Sequence, residues 1–187
     1  YHLMQEPLAQ IDLYTNVEND ELNRLLTQAL ASIDLDSVVQ YTLQEAGVNQ
    51  PVMLTLLITD DETLRDMNRQ YRQQNIPTDV LSFPLLNKPL VDAPAEQLWS
   101  REETAEQDEK VFVTPPELTT NLGDIAISWP TVIRQAGEVG HSPTYELVYL
   151  IAHGVLHLVG YDDHTEAGYQ AMVQLQQNVL ASVGQKA

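Results

Sequence analysis

The sequence predicts an α+β fold: one domain over residues 1–187, in which a mixed, mostly four-stranded sheet packs against helices. Three observations predict it. Short runs that alternate or are continuously apolar are interleaved with longer runs whose apolar residues recur at helical spacing. Their order is strand, helix, helix, strand, helix, strand, strand, helix, helix, helix. No internal repeat or second apolar core interrupts that order, and 187 residues suit a single domain with a sizeable interior. Finally, residues 143–159 are apolar on most sides, as a helix buried against a sheet should be.

The elements follow in turn. Residues 9–15 alternate apolar and polar and read as a strand. Residues 20–33 carry Leu22, Leu25, Leu26, Ala29 and Leu30, a helical stripe, and residues 36–46 form a second helix stopped by Gly47. Residues 51–59 are apolar between turn residues and read as a central strand. Asp60 and Asp61 then cap a helix running to about residue 73. A turn around Pro77 leads to a strand over 80–84, placed at an edge by its proline. Residues 85–120 hold four prolines, eight acids and three bases with little periodicity, and are expected to be a mobile acidic insertion. Residues 121–128 resume as turn and strand, able to pair antiparallel with 80–84 so that the insertion forms the tip of a long hairpin. A short helix over 130–138 follows. Ser142 then caps the buried helix, with Pro143 at its first position, and residues 165–183 make a last amphipathic helix.

Composition narrows the chemistry. There is no cysteine, so disulfide partners and thiolate ligands are excluded and metal ligation falls to histidine and carboxylate. No apolar run reaches membrane length and the N-terminus lacks a signal-peptide pattern; the expectation is a cytoplasmic protein with no membrane partner. The net charge of −18, from 27 acids against 9 bases, disfavours non-specific nucleic-acid binding by the surface as a whole. It leaves room for a local basic groove. Arg65, Arg69 and Arg72, spaced i, i+4, i+7, put three of the nine bases on one helix face. Each taken singly reads as a solvated arginine paired with Asp61, Glu62 or Asp66; together they form a short positive ridge suited to phosphate.

Three of the five histidines lie in the stretch from His153 to His164. His153 and His157 are one helical turn apart, close enough to share a metal ion, and Gly160 ends the helix so that His164 folds back toward them. Two hydrogen-bonded core histidines would explain the pair alone; a third straight after a Gly-Tyr-Asp turn points to one zinc ion with an open position for water. The position after His153 is Gly154, so the glutamate base of zinc peptidases is absent. Asp162, Asp163 or the substrate itself is left to serve as base. Glu146 shares the face of His153 and His157, about 10 Å from His153 along the axis, and reads as a first-turn acid favoured by the helix dipole. Asp79 reads as an Asx-turn, Ser82 and Ser128 as strand filling, and Gly154 as a close packing contact.

Residues 68–72 (NRQYR) with 77–84 (PTDVLSFP), residues 122–128 (LGDIAIS), and the segment HGVLHLVGYDDH over 153–164 together resemble the YbeY family of bacterial endoribonucleases that mature ribosomal RNA. The resemblance spans the first strand to the last helix, apart from the insertion. It implies a zinc ion held by His153, His157 and His164 and a catalytic arginine at Arg72. It also implies cleavage of single-stranded RNA, with roles in 16S ribosomal RNA 3′-end maturation on the small ribosomal subunit and in ribosome quality control. The chain departs from the family pattern in reading Gly-Tyr-Asp-Asp-His where Gly-Tyr-Asp-His is expected, which lengthens the turn before His164, and in the length of its 85–120 insertion. Two other functions compete: a metal-dependent hydrolase of another substrate class, and a non-enzymatic ribosome-assembly factor with a structural metal, to which the acidic surface is suited through basic ribosomal proteins.

Overall fold

The computed structural model describes residues 9–72, 78–100 and 119–185, apart from the side chain of Arg72. Within them lie strands β1 (Ala9–Asn16), β2 (Val52–Thr59), β3 (Val80–Pro84) and β4 (Thr120–Ser128). The helices are α1 (Asp20–Ala31), α2 (Leu35–Ala46), α3 (Asp61–Arg72), α4 (Trp129–Val139), α5 (Pro143–Val159) and α6 (Glu166–Ser182). The strands form one sheet in the order β1-β2-β4-β3, with β1, β2 and β4 parallel and β3 antiparallel to β4. The fold is thus α+β with a mixed four-stranded sheet, as the sequence predicts. The β3–β4 pairing of Val80 with Ile127 and Pro84 with Gly123 makes 85–119 the connection of a long hairpin.

Local chemistry sets the helix limits. Asn19, Asp34, Ser142 and Thr165 each accept a hydrogen bond from a first-turn amide, satisfying donors that have no partner within the helix. Gly47 ends α2 in the left-handed conformation. Ser128 differs from the strand-filling role expected of it. It is the N-cap of α4, and its buried hydroxyl also donates to the Asp61 carboxylate at the start of α3. Asp61 therefore does not cap its own helix; it ties α3 to α4, accepting from Thr131 Oγ1 at 2.5 Å as well.

The two faces of the sheet are covered unequally. One face, with Val52, Leu54, Leu56 and Ile58 of β2, packs with α1, α2, α4, α5 and α6 into one large core. On the other, Leu57, Leu81, Phe83 and Ala126 meet Leu64 and Met67 of α3 in a small separate cluster. Helix α5 lies in the large core, in contact with β3, β4, α2, α4 and α6. Burying each of its leucines contributes about 1.5–3 kcal/mol. Its approach to the sheet depends on Gly154, where a Cβ would lie 2.8 Å from Ile125 Cγ2.

The insertion divides. Residues 85–100, read from the sequence as part of a mobile insertion, run back over the C-terminal end of α5, where several of their backbone groups find partners. Residues 101–118, with the remainder of the expected insertion, lie outside the described residues. No helix among the described residues is long and apolar enough to cross a membrane.

Candidate metal centre

Helix α5 presents His153 and His157 on one face because they are four residues apart. Both are half-buried. Gly160, at φ 139°, ends the helix, and the turn that follows carries Asp162, Asp163 and His164. Among the described residues, Asp162, Asp163 and His164 form a group of three potential metal ligands whose donor atoms lie within 4.8 Å of one another. His153 joins that group through Asp163: its Nε2 stands 3.8 Å from Asp163 Oδ2. The three histidines do not themselves form such a group in this structure. The turn thus brings Asp163 to His153 and sets Asp162 beside His164, and the additional aspartate of Gly-Tyr-Asp-Asp-His is one of the two.

The residues fit a divalent cation. Asp162 Oδ1 is buried and no protein group donates a hydrogen bond to it, an arrangement that costs free energy unless a cation or polar partner is supplied. The nearest positive candidate is His164 Nε2 at 3.5 Å, on a side chain that is 85 % exposed. Imidazole and carboxylate donors together suit a zinc-class ion.

Beside His153 opens a cavity of about 290 Å³ lined by Asp79, Glu146, Tyr149, His153, Asp163 and Gln176 among others. Three of those groups are carboxylates. Glu146, in the first turn of α5, has its carboxyl held above the usual range: burial raises it, the Asp79 charge adds to the rise, and His141, 3.7 Å away, opposes it. Burial likewise pushes the Tyr149 phenol up, helped by Tyr169 and Glu146. Sequence spacing placed Glu146 on the histidine face but gave it only a dipole role; the signal it carried was its position two turns before His153, on the same stripe. Asp79 accepts from the amide of Val80, the next residue, at 2.8 Å, rather than from the residue two on as an Asx-turn would, and it also lines this cavity.

Arg65 and Arg69 lie on α3, which packs on the other face of the sheet from α5. Arg69 pairs with Asp66 at 3.2 Å with both side chains exposed, so it contributes little to stability. Arg65 is exposed. Asp61, offered in the sequence as an arginine partner on the same helix, instead faces Arg134 of α4 at 3.6 Å. The backbone of α3 ends at Arg72, whose side chain lies outside the described residues.

Comparison with known proteins follows the same motifs. A family model described as Endoribonuclease YbeY matches residues 16–184. A protein named Endoribonuclease YbeY from Roseiflexus castenholzii is 41% identical over 142 residues, covering 74% of this chain and 76% of its own. One of the same name from Moorella thermoacetica is 37% identical over 169 residues, covering 90% and 96% of the two chains.

Proposed function

This chain belongs to the endoribonuclease YbeY family, and from that premise we propose that it is a zinc-dependent endoribonuclease of single-stranded RNA. Its place of action is the cytoplasm. There it trims the 3′ end of 16S ribosomal RNA on the small ribosomal subunit and takes part in ribosome quality control. The observation that carries the reading is the donor set at the end of α5: His153 and His157 on the helix, His164 with Asp162 and Asp163 on the turn, and the partnerless buried oxygen of Asp162 among them.

In this proposal His153, His157 and His164 hold one zinc ion per chain. When bound, the ion supplies a water molecule whose pKa is lowered toward neutrality. Asp163 Oδ2 stands 3.8 Å from His153 Nε2, too far for a hydrogen bond but near enough to add negative charge beside a bound cation. The cavity wall of Asp79, Glu146 and Asp163 repels an anionic backbone unless positive charge is brought to it. Arg72 supplies that charge from the protein, holding the scissile phosphate through its planar guanidinium.

Two observations bear on the competing readings. At position 154, where a zinc peptidase carries its glutamate base, a Cβ would already meet Ile125, which speaks against peptide hydrolysis. The net charge of −18 favours a metal-holding assembly factor that meets basic ribosomal proteins. Cleavage assays on single-stranded RNA and on peptides, with and without chelator, separate the three. The expected outcome is RNA cleavage lost with chelator and restored by zinc, with His157→Ala inert and metal-poor. Peptide cleavage would favour the other hydrolase class; zinc without cleavage would favour the assembly factor. If His164→Ala keeps zinc while Asp162→Ala or Asp163→Ala loses it, the third ligand is an aspartate.

A further inference from the structure

The C-terminal end of α5 raises a physical question of its own. The last carbonyls of a helix have no partner within it, and here they lie directly before the turn that carries Asp162, Asp163 and His164. The Gly160 and Tyr161 amides meet the His157 and Leu156 carbonyls locally, and further donors come from residues 90–99, a segment more than fifty residues away in sequence. Leu90 N–H donates to the Val159 carbonyl at 2.9 Å. Trp99 donates twice, from its backbone amide to the Gly160 carbonyl at 2.9 Å and from its indole Nε1–H to the His157 carbonyl at 2.6 Å. The contact then reverses: Asp162 N–H donates to the Gln97 carbonyl at 3.0 Å, and the Thr165 hydroxyl donates to the Glu96 carbonyl. Leu98 forms an isolated antiparallel bridge with Tyr161. Pro89 occupies the space beside Gly160, where a Cβ would lie 2.5 Å from the proline ring.

From these contacts we infer that residues 89–99 are a positioning strap for the proposed metal-holding turn, and that Trp99 is its anchor. The inference rests on the metal reading of the preceding subsection. His164 is 85 % exposed, so its own packing does not place it; its location is inherited from the backbone of the turn. That backbone is gripped at the end of the helix by Leu90 and Trp99, in its middle by Gln97, and at the start of α6 by Glu96. Trp99 also holds the carbonyl of His157, so one residue bonds the helix through its indole and Gly160, where the turn begins, through its backbone amide. Linkage makes the relation reciprocal: if the docked strap favours the metal-binding arrangement, a bound metal tightens the strap by the same factor.

The test uses the full chain with Trp99→Ala and Trp99→Phe, and reads zinc affinity by competition with a chelator. Hydrogen exchange at the Asp162 amide in the metal-free protein is followed in parallel. Trp99→Ala is expected to weaken zinc binding about 10- to 100-fold, the range seen when groups supporting a metal ligand are removed. Exchange at Asp162 should accelerate while amides in the middle of α5 keep their protection. Trp99→Phe keeps an aromatic ring but not the N–H donor, so its zinc affinity should fall between alanine and wild type; it also carries the test if the alanine variant does not fold. Wild-type zinc affinity in both variants, with Asp162 exchange accelerated, would overturn the proposal and leave the strap as packing. A wild-type chain that takes up no zinc would overturn the metal reading itself, and would be recognised by failing before any substitution is compared.

Discussion

Helices α5 and α3 carry the two halves of the proposed chemistry, and they are held in different ways. Eleven residues of α5 are buried, it contacts β3, β4, α1, α2, α4 and α6, and carbonyls at its C-terminal end are met by the strap. Helix α3 lies on the opposite face over a cluster in which only Leu64, Leu81 and Ala126 are fully buried. Its start is tied to α4 through Asp61, whose carboxylate gathers Ser128, Thr131 and Arg134. A donor set that must hold distances to a few tenths of an ångström sits on the rigid element. The arginine ridge, which has only to reach a phosphate, sits on the lightly held one.

Substitutions at four positions sharpen or break that contrast. The largest effect is expected from Arg72→Ala, which should lower RNA turnover by about 100-fold, the loss of one transition-state donor, while zinc content and melting temperature stay near wild type. Arg72→Lys keeps the charge without the planar fork and should restore only part of it; full activity in Arg72→Ala would remove α3 from the chemistry. Next comes Gly154→Ala. Ile125 is buried and β-branched, so the added methyl should cost about 1–3 kcal/mol of stability, measured by urea unfolding. An unchanged midpoint would show that α5 is less tightly seated than described.

Asp61→Asn tests the tether of α3 and should cost about 1 kcal/mol, since the carboxylate's hydrogen bonds are partly exposed to solvent. Burial raises the Asp61 carboxyl, but hydrogen bonds from Ser128 and Thr131 and the Arg134 charge outweigh it and hold it below the usual range. Its contribution is therefore present above the unfolded-state pKa and lost as pH falls through the folded one. The gap between wild type and Asp61→Asn should close in acid; a gap that widens there would contradict this sign. The smallest effect belongs to Glu146→Gln. The Glu146 carboxyl is raised, so the wild type loses stability as pH rises from the ordinary carboxylate range through the raised value. Removing the charge should flatten that fall in stability–pH curves, and an unaltered slope would show that Glu146 titrates normally.

The sequence made the fold legible where apolar spacing and caps agree. The order of elements, the Ser142–Pro143 start of α5, the Gly160 stop and the β3–β4 hairpin could all be read from local pattern. What it concealed is long-range. Residues 89–99 show no periodicity because their hydrogen bonds go to the end of another helix, and their prolines and acids carried no sign of those partners. Removing residues 90–115, harmless on that expectation, would take away Leu90, Gln97 and Trp99 and with them the partners of α5's last carbonyls. Ser128 likewise gave no local sign that it serves two helices. At the candidate centre, spacing named the three histidines as candidates, while the Asp162 oxygen without a hydrogen-bond donor and the cavity beneath Glu146 depend on how the turn and the helix pack.

The close approach at Gly154 also bears on what this scaffold could become. A helix of the pattern His-x-x-x-His differs from that of a zinc peptidase at one adjoining position, and a single codon change from glycine to glutamate is a short mutational step. Here that step meets the sheet, because the first carbon of any side chain at 154 would lie 2.8 Å from Ile125 Cγ2. A glutamate at 154 would therefore require Ile125 to move or α5 to lift from β4, so a residue on the sheet bears on which base this helix can carry.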